Sequence, residues 1–364
     1  MDFKIQERFT LAIVYCSSLV FIVVFLALGI IGQKVSGKNI FESFNFYFRT
    51  VSDSFIPFVG VLLLLVVLTM AVRVGIFLVR VLLSSFQKES ELLALVSREN
   101  LRRHGAAIAN EGKNILRIGI PLVIGLLFFS LALDRLNIVN ANRLQDDLLM
   151  RWDKLLTGFY PFIVLANIPY PSWFIEAVRI SFNQLASLLI VVVFYLYYIR
   201  RDIFYELVAT FFISAIIGFA LWTLVPALSP HDRYIDNVYQ LPISVEIKNA
   251  LTTYHPDQTI NEFLHHMREQ KERLVEVLPT STMPSAHVMW AVFIVYYLYK
   301  ANWKLGVAAS PIAILSSYGT VTLAQHYFMD IPAGIIVAVF TIWLAHWLLR
   351  APFQQPITSN QVAN

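Results

Sequence analysis

The sequence predicts an all-α, polytopic membrane protein: a helix bundle with about eight transmembrane helices. Three observations predict it. The 364-residue chain is 57% hydrophobic and only 14% charged, too little polar surface to keep a soluble domain of this length dispersed. Apolar stretches of roughly 20 residues, the length that spans hydrocarbon, recur from one end to the other. The basic residues collect at the ends of these stretches, on alternate connections.

The first stretch, over residues 10–32, exceeds the core of a signal peptide and no small-residue cleavage site follows it, so it reads as a retained helix. It holds the single cysteine, Cys16, which excludes an internal disulfide and a thiolate metal cage. Further spans follow over 55–79, 115–134, 175–198, 204–226, 287–300, 305–324 and 329–349, of which the 287–300 stretch is short and aromatic. Arg80, Lys88, Arg98, Arg102, Arg103, Lys113 and Arg117 lie between the second and third spans, and Arg200 and Arg201 between the fourth and fifth. Lys300 and Lys304 join the sixth and seventh, and Arg350 follows the eighth. The positive-inside rule then puts both termini in the cytoplasm and leaves 33–54, 135–173, 227–286 and 325–330 outside. The same clustering accounts for the net charge of +4, so no nucleic-acid partner is expected.

Two amphipathic stretches interrupt this pattern. Residues 85–114 suit a cytoplasmic helix against the bundle or the headgroups. Residues 258–278 form a second one in the long outer loop, either a lid or a solvated connector. The expected organisation is an N-terminal transmembrane extension over 1–134, a catalytic membrane core over 135–350 and a disordered tail over 351–364.

Chemistry concentrates in two outer segments. Pro279-Thr-Ser-Thr-Met-Pro-Ser-Ala-His287 runs into the sixth span, placing Pro284 at a helix start with Ser285, Ala286 and His287 in its first turn. Free N–H groups, the helix dipole and the Ser285 hydroxyl there make an anion site beside an imidazole. The bland alternative is a helix start whose histidine snorkels to the interface. In Leu323-Ala-Gln-His326-Tyr-Phe-Met-Asp330-Ile-Pro-Ala-Gly334, a histidine and an aspartate stand four apart at a membrane boundary. They share one face if the helix is continuous, or meet across a turn if Pro332 lies in the first turn of the eighth span. An aspartate accepting Nδ1–H would fix the tautomer of His326 and leave Nε2 free as nucleophile or base. A buried His–Asp pair that only staples two helices is the alternative. Two spans separate the segments and so bring them to one side. One histidine could attack phosphorus and the other protonate the departing oxygen, with no metal or cofactor required.

Met-Pro-Ser-Ala-His287 and His326-Tyr-Phe-Met-Asp330 resemble the second and third signature motifs of the type 2 phosphatidic acid phosphatase superfamily, Pro-Ser-Gly-His and Ser-Arg-x-x-x-x-x-His-x-x-x-Asp. The resemblance covers roughly the last two hundred residues. It implies that His326 is the nucleophile, oriented by Asp330, and that His287 is the general acid. The chain departs from the pattern at Ala286 in place of glycine and Thr320 in place of arginine, and it lacks the Lys-x-x-x-x-x-x-Arg-Pro first motif. Phosphate binding must then use other groups: Arg233, whose planar fork suits phosphate oxygens, with Ser285 and Gln325, and Lys248 and Arg268 as weaker alternatives. These departures, with Asp153-Lys-Leu-Leu-Thr-Gly158 before Tyr160-Pro161, make the chain look more like the inositol phosphorylceramide synthase branch, whose members move a headgroup phosphate between lipid and acceptor. Taken singly, those residues also suit a polar interfacial turn.

His265 and His266 are adjacent and splay apart on a helix, which disfavours joint ligation, and none of the remaining histidines, including His231 beside Arg233, is assigned to a metal. The expected partner is a lipid phosphate or phosphodiester entering from the outer leaflet, with an alcohol or sugar as a further acceptor. The expected activity is that of a metal-independent lipid phosphatase/phosphotransferase working through a phospho-histidine, transferring or releasing a phosphate-containing headgroup, with simple lipid phosphate hydrolysis as the alternative. A His/Asp proton-relay transporter is the rival from another class, but it predicts an internal repeat that the sequence does not show. A catalytically dead lipid-binding relative would not need all of His287, His326 and Asp330. The lack of a eukaryotic retention tail points to a bacterial inner membrane.

Overall fold

The computed structural model describes residues 3–36, 98–274 and 282–350, with positions 75, 79 and 83. Apart from positions 75 and 79, the predicted second span lies outside the described residues, as does the tail 351–364. The chain is an all-α membrane bundle. Its elements are α1 (Phe3–Ser36), α2 (Arg98–Asn140), α3 (Asp146–Thr157), α4 (Pro161–Ala166), α5 (Ser172–Ile199), α6 (Arg201–Leu224), a π-helical turn (His231–Ile235), α7 (Val245–Leu251), α8 (Gln258–Leu274), α9 (Ala286–Ala301), α10 (Trp303–Thr322) and α11 (Asp330–Arg350). Among them α1, α2, α5, α6, α10 and α11 are long and apolar enough to cross a bilayer.

The short sixth stretch becomes α9, whose 16 residues rise about 24 Å. It packs against α5, α6, α10 and α11, with Phe293, Ile294 and Tyr297 fully buried. A helix wrapped by protein on this scale has less need to match the thickness of the lipid. Where α9 and α10 cross, Gly306 lies so close to Tyr299 that a Cβ would meet its backbone at 2.6 Å. The predicted cytoplasmic helix, from residue 98 on, continues without a break into α2, which runs for 43 residues and whose described side chains up to Asn110 are exposed.

Hydrogen bonds fix which helix ends meet. At one end, Gln6 Nε2 donates to the Asp202 carbonyl at 2.7 Å, and Glu206 of α6 holds Lys300 of α9 at 2.6 Å and faces His346 of α11 at 3.5 Å. At the other end, Asn140 Nδ2 donates to the Trp222 carbonyl and Trp222 Nε1 to the Pro284 carbonyl at 3.0 Å. This second end, the site end, carries the start of α9 and the α10–α11 turn. Smaller helices cap it. α3 and α4 pack with Tyr234 and Tyr327 into an apolar cluster. α8 buries Ile260, Phe263 and Leu264 against α5.

Candidate active site

The start of α9 forms as its residue types dictate. Ser285 is the N-cap, in extended conformation, and its Oγ accepts the Val288 N–H. The helix therefore begins at Ala286, two residues after Pro284, so that Ser285 lies before its first turn and His287 sits at its second position. Helix starts leave N–H groups without intrahelical partners, so this end of α9 presents donors and positive dipole. Gly334 of α11 crosses here so closely that a Cβ would meet the Ser285 carbonyl at 3.0 Å.

Of the two geometries open for the second segment, the turn is realised. α10 ends at Thr322, α11 begins at Asp330, and His326 lies between them. Ala324 takes a positive φ of 53°, and the N–H groups of Gln325 and His326 both reach the Thr320 carbonyl. Thr320, in the position of the missing arginine, is fully buried and closes the turn through its backbone.

The turn aims one imidazole. His326 Nδ1 lies 3.0 Å from Asp330 Oδ2 and 3.1 Å from the Thr282 carbonyl, both acceptors, so Nδ1 carries the proton and Nε2 the lone pair. Nε2 faces Ser285 Oγ at 3.3 Å, toward the start of α9. Asp330 is fully buried, and its Oδ2 also accepts the Tyr327 N–H. Its Oδ1 has no hydrogen-bond partner among the described residues. His287 stands beside this pair, its ring centroid 6.1 Å from that of His326. Phe182 of α5 stacks flat on His287 at 4.4 Å and 7°, which fixes the plane of that ring.

The predicted phosphate ligands fare differently. Ser285 stands in the site. Gln325 Nε2 turns back onto the Leu323 carbonyl. Arg233 is buried on the π-helical turn, where Nη2 donates to the Pro242 carbonyl and lies 3.7 Å from Asp147; Nη1 has no hydrogen-bond partner among the described residues. Those contacts join Arg233 to α3 and the following loop rather than to the histidine pair. Arg268 of α8 forms a bidentate ion pair with Asp236. His231, Asp232 and Asp236 bring ligand-type atoms within 4.8 Å of one another. That cluster is already served by the Arg268 guanidinium on Asp236 and by Ser229 Oγ, which donates to Asp232 at 2.7 Å.

Two groups that matter to the geometry were not recognised from the sequence as belonging to the histidine pair. One is the Phe182 stack, which no local pattern marks. The other is the buried face of α3. Asp146 and Asp153 stand seven residues apart, two helical turns, and so on one face. Asp153 accepts the N–H groups of Phe328 and Met329, both at 2.9 Å. Asp146 accepts the Leu228 N–H and the Tyr327 hydroxyl. Their seven-residue spacing was the available signal.

Fold and site together define a polytopic membrane protein with an oriented His–Asp pair and a second histidine at the mouth of a helix. The family model described as the PAP2 superfamily matches residues 147–344, more than half of the chain, including Ser285, His287, His326 and Asp330. The chain belongs to the PAP2 superfamily, whose members are typically phosphatases. No curated protein and no solved structure gives a match.

Proposed function

We propose that the protein is a lipid phosphotransferase working through a phospho-histidine. The observation that carries this reading is the aim of His326: Nδ1–H bonded to Asp330 and Nε2 turned toward Ser285 at the start of α9. The Nε2 lone pair attacks phosphorus, the bond from phosphorus to the leaving oxygen breaks, and His287 gives that oxygen its proton. An incoming hydroxyl then attacks the phospho-histidine, His287 takes up its proton, and Nε2 leaves as the lone-pair form. Ser285 and the first-turn N–H groups of α9 meet the charge that develops on the phosphoryl oxygens. Arg233, whose Nη1 has no hydrogen-bond partner among the described residues, remains the candidate guanidinium for the phosphate oxygens.

A lipid substrate is supported by the apolar surface around the site end, where Leu155 and Trp173 are 82% and 71% exposed. The extracytoplasmic assignment of this end rests on Arg200, Arg201, Lys300, Lys304 and Arg350, all at the opposite end of the bundle. The acceptor proposed is an alcohol, as in the inositol phosphorylceramide synthase branch; water in its place gives a lipid phosphate phosphohydrolase.

The test uses purified protein in detergent with EDTA, offered radiolabelled lipid phosphates and phosphodiesters with and without inositol or sugar alcohols, beside His326→Ala. Release or transfer of label in the wild type, lost in the variant, is the expected result, and the product names the acceptor. Equal inactivity of both on every substrate would overturn the reading.

A further inference from the structure

The turn that carries His326 and Asp330 is held from outside by one face of α3. Asp146, Leu149, Met150 and Asp153 are buried on that face, and both carboxylates are at most 1% exposed. The partners of Asp153 are unusual for a buried carboxylate. They are the two consecutive backbone N–H groups of Phe328 and Met329, one to each oxygen at 2.9 Å. Tyr327, just before them, is tied twice more, through its N–H to Asp330 and through its hydroxyl to Asp146 at 2.7 Å. Every residue between the histidine and its aspartate is thus fixed, and α3 supplies three of the four bonds. α3 is anchored in turn, since Gln145 N–H donates to the Pro226 carbonyl and Asp146 accepts from Leu228.

Ionised, as it is above about pH 7, Asp153 offers two acceptor oxygens and no donor, which suits two neighbouring N–H groups. An asparagine would set an NH2 against one of them. Burying a carboxylate is costly unless it is fully hydrogen-bonded, so this bond pair commits α3 to one position over the turn.

We infer that Asp153 is a positioning residue: its two bonds to Phe328 and Met329 set the height and tilt of the turn, and thereby the aim of His326 Nε2 at the start of α9. The inference rests on the phosphoryl-transfer reading of the site. Displacements on the order of 1 Å can cost about 100-fold in rate while leaving substrate binding intact.

The experiment compares wild type, Asp153→Asn, Asp153→Glu and His326→Ala by hydrogen exchange over residues 326–330 and by kinetics of phosphate release or transfer. Asp153→Asn is expected to lose protection at Phe328 and Met329 and to lower kcat roughly 10- to 100-fold with KM within about two-fold. Asp153→Glu keeps both oxygens but lengthens the arm, and serves should the asparagine variant fail to fold; the same split is expected, with melting close to wild type. Unchanged exchange overturns the clamp. Lost protection with unchanged kcat overturns its positioning role, and a raised KM with unchanged kcat reassigns Asp153 to substrate binding. If wild type and His326→Ala are alike inactive, the phosphoryl-transfer reading falls, and exchange still decides whether Asp153 holds the turn.

Discussion

Asp330 shares one oxygen between the His326 Nδ1–H and the Tyr327 N–H, so it sets both the tautomer of the ring and the shape of the turn. Asp330→Asn places an amide there that can donate to Nδ1, favouring the tautomer with its lone pair on the wrong nitrogen. Phosphate release or transfer is expected to fall by about 10²–10⁴, with circular dichroism unchanged. Phe182→Ala frees the His287 ring and is expected to lower kcat about ten-fold with little change in KM, measured in the same assay. Asp153 carries a pH signature. Burial pushes its carboxyl up to about 7 from 3.8, and the nearby Asp330 adds to the rise against the lowering effect of the two N–H bonds. The folded state therefore holds a proton that the unfolded chain releases from about pH 4 upward. Its stabilising contribution is full below pH 4 and lost as the pH rises through about 7. The Tm of the wild type relative to Asp153→Asn should fall across that window and level off above it; a flat difference would contradict the shift.

At the scale of elements, the site exists because α9 and α11 cross closely. Gly334 lies where a Cβ would meet the Ser285 carbonyl and Val288 Cβ, both at 3.0 Å. Gly334→Val must push the helices apart at the N-cap, which is expected to cost about 1–3 kcal/mol and to lower turnover, read by thermal melting in detergent and by the label assay. α8 behaves differently. It docks on α5 through Ile260, Phe263 and Leu264, and Arg268 ties it to Asp236. The Arg268 side chain is 49% exposed, so Arg268→Ala should change global stability by no more than about 1 kcal/mol. Exchange over Gln258–Leu274 should nevertheless rise, because the pair is the helix's polar tie to the π-helical turn.

For the whole molecule, the end opposite the site is closed by Glu206, Lys300 and His346, one residue from each of three core helices. Glu206 is only 6% exposed. Lys300→Met removes its 2.6 Å partner and leaves a buried carboxylate, which should cost about 3 kcal/mol, whereas Glu206→Gln combined with Lys300→Met should recover most of that loss. Thermal melts of the single and double variants decide it.

Seven of the eight predicted spans fall on described helices, because hydrocarbon thickness and the need to satisfy every backbone group act locally and leave their mark on composition. That His287 and the His326–Asp330 pair share one end followed as well, from the two spans between them. Local pattern did not reach further. Whether the pair sat on a helix or in a turn depended on the Thr320 carbonyl collecting two N–H groups, and the contacts of Arg233 with α3 and with Pro242 beyond the π-helical turn are likewise absent from any local pattern. The part played by Asp153 was hidden for the same reason, since its partners lie 175 and 176 residues away. The sequence by itself determined the membrane fold, the order of the spans and the two segments that carry His287, His326 and Asp330. Only the tertiary structure decided what aims them, because hydrogen bonds between segments so far apart in the chain leave no periodic trace in it.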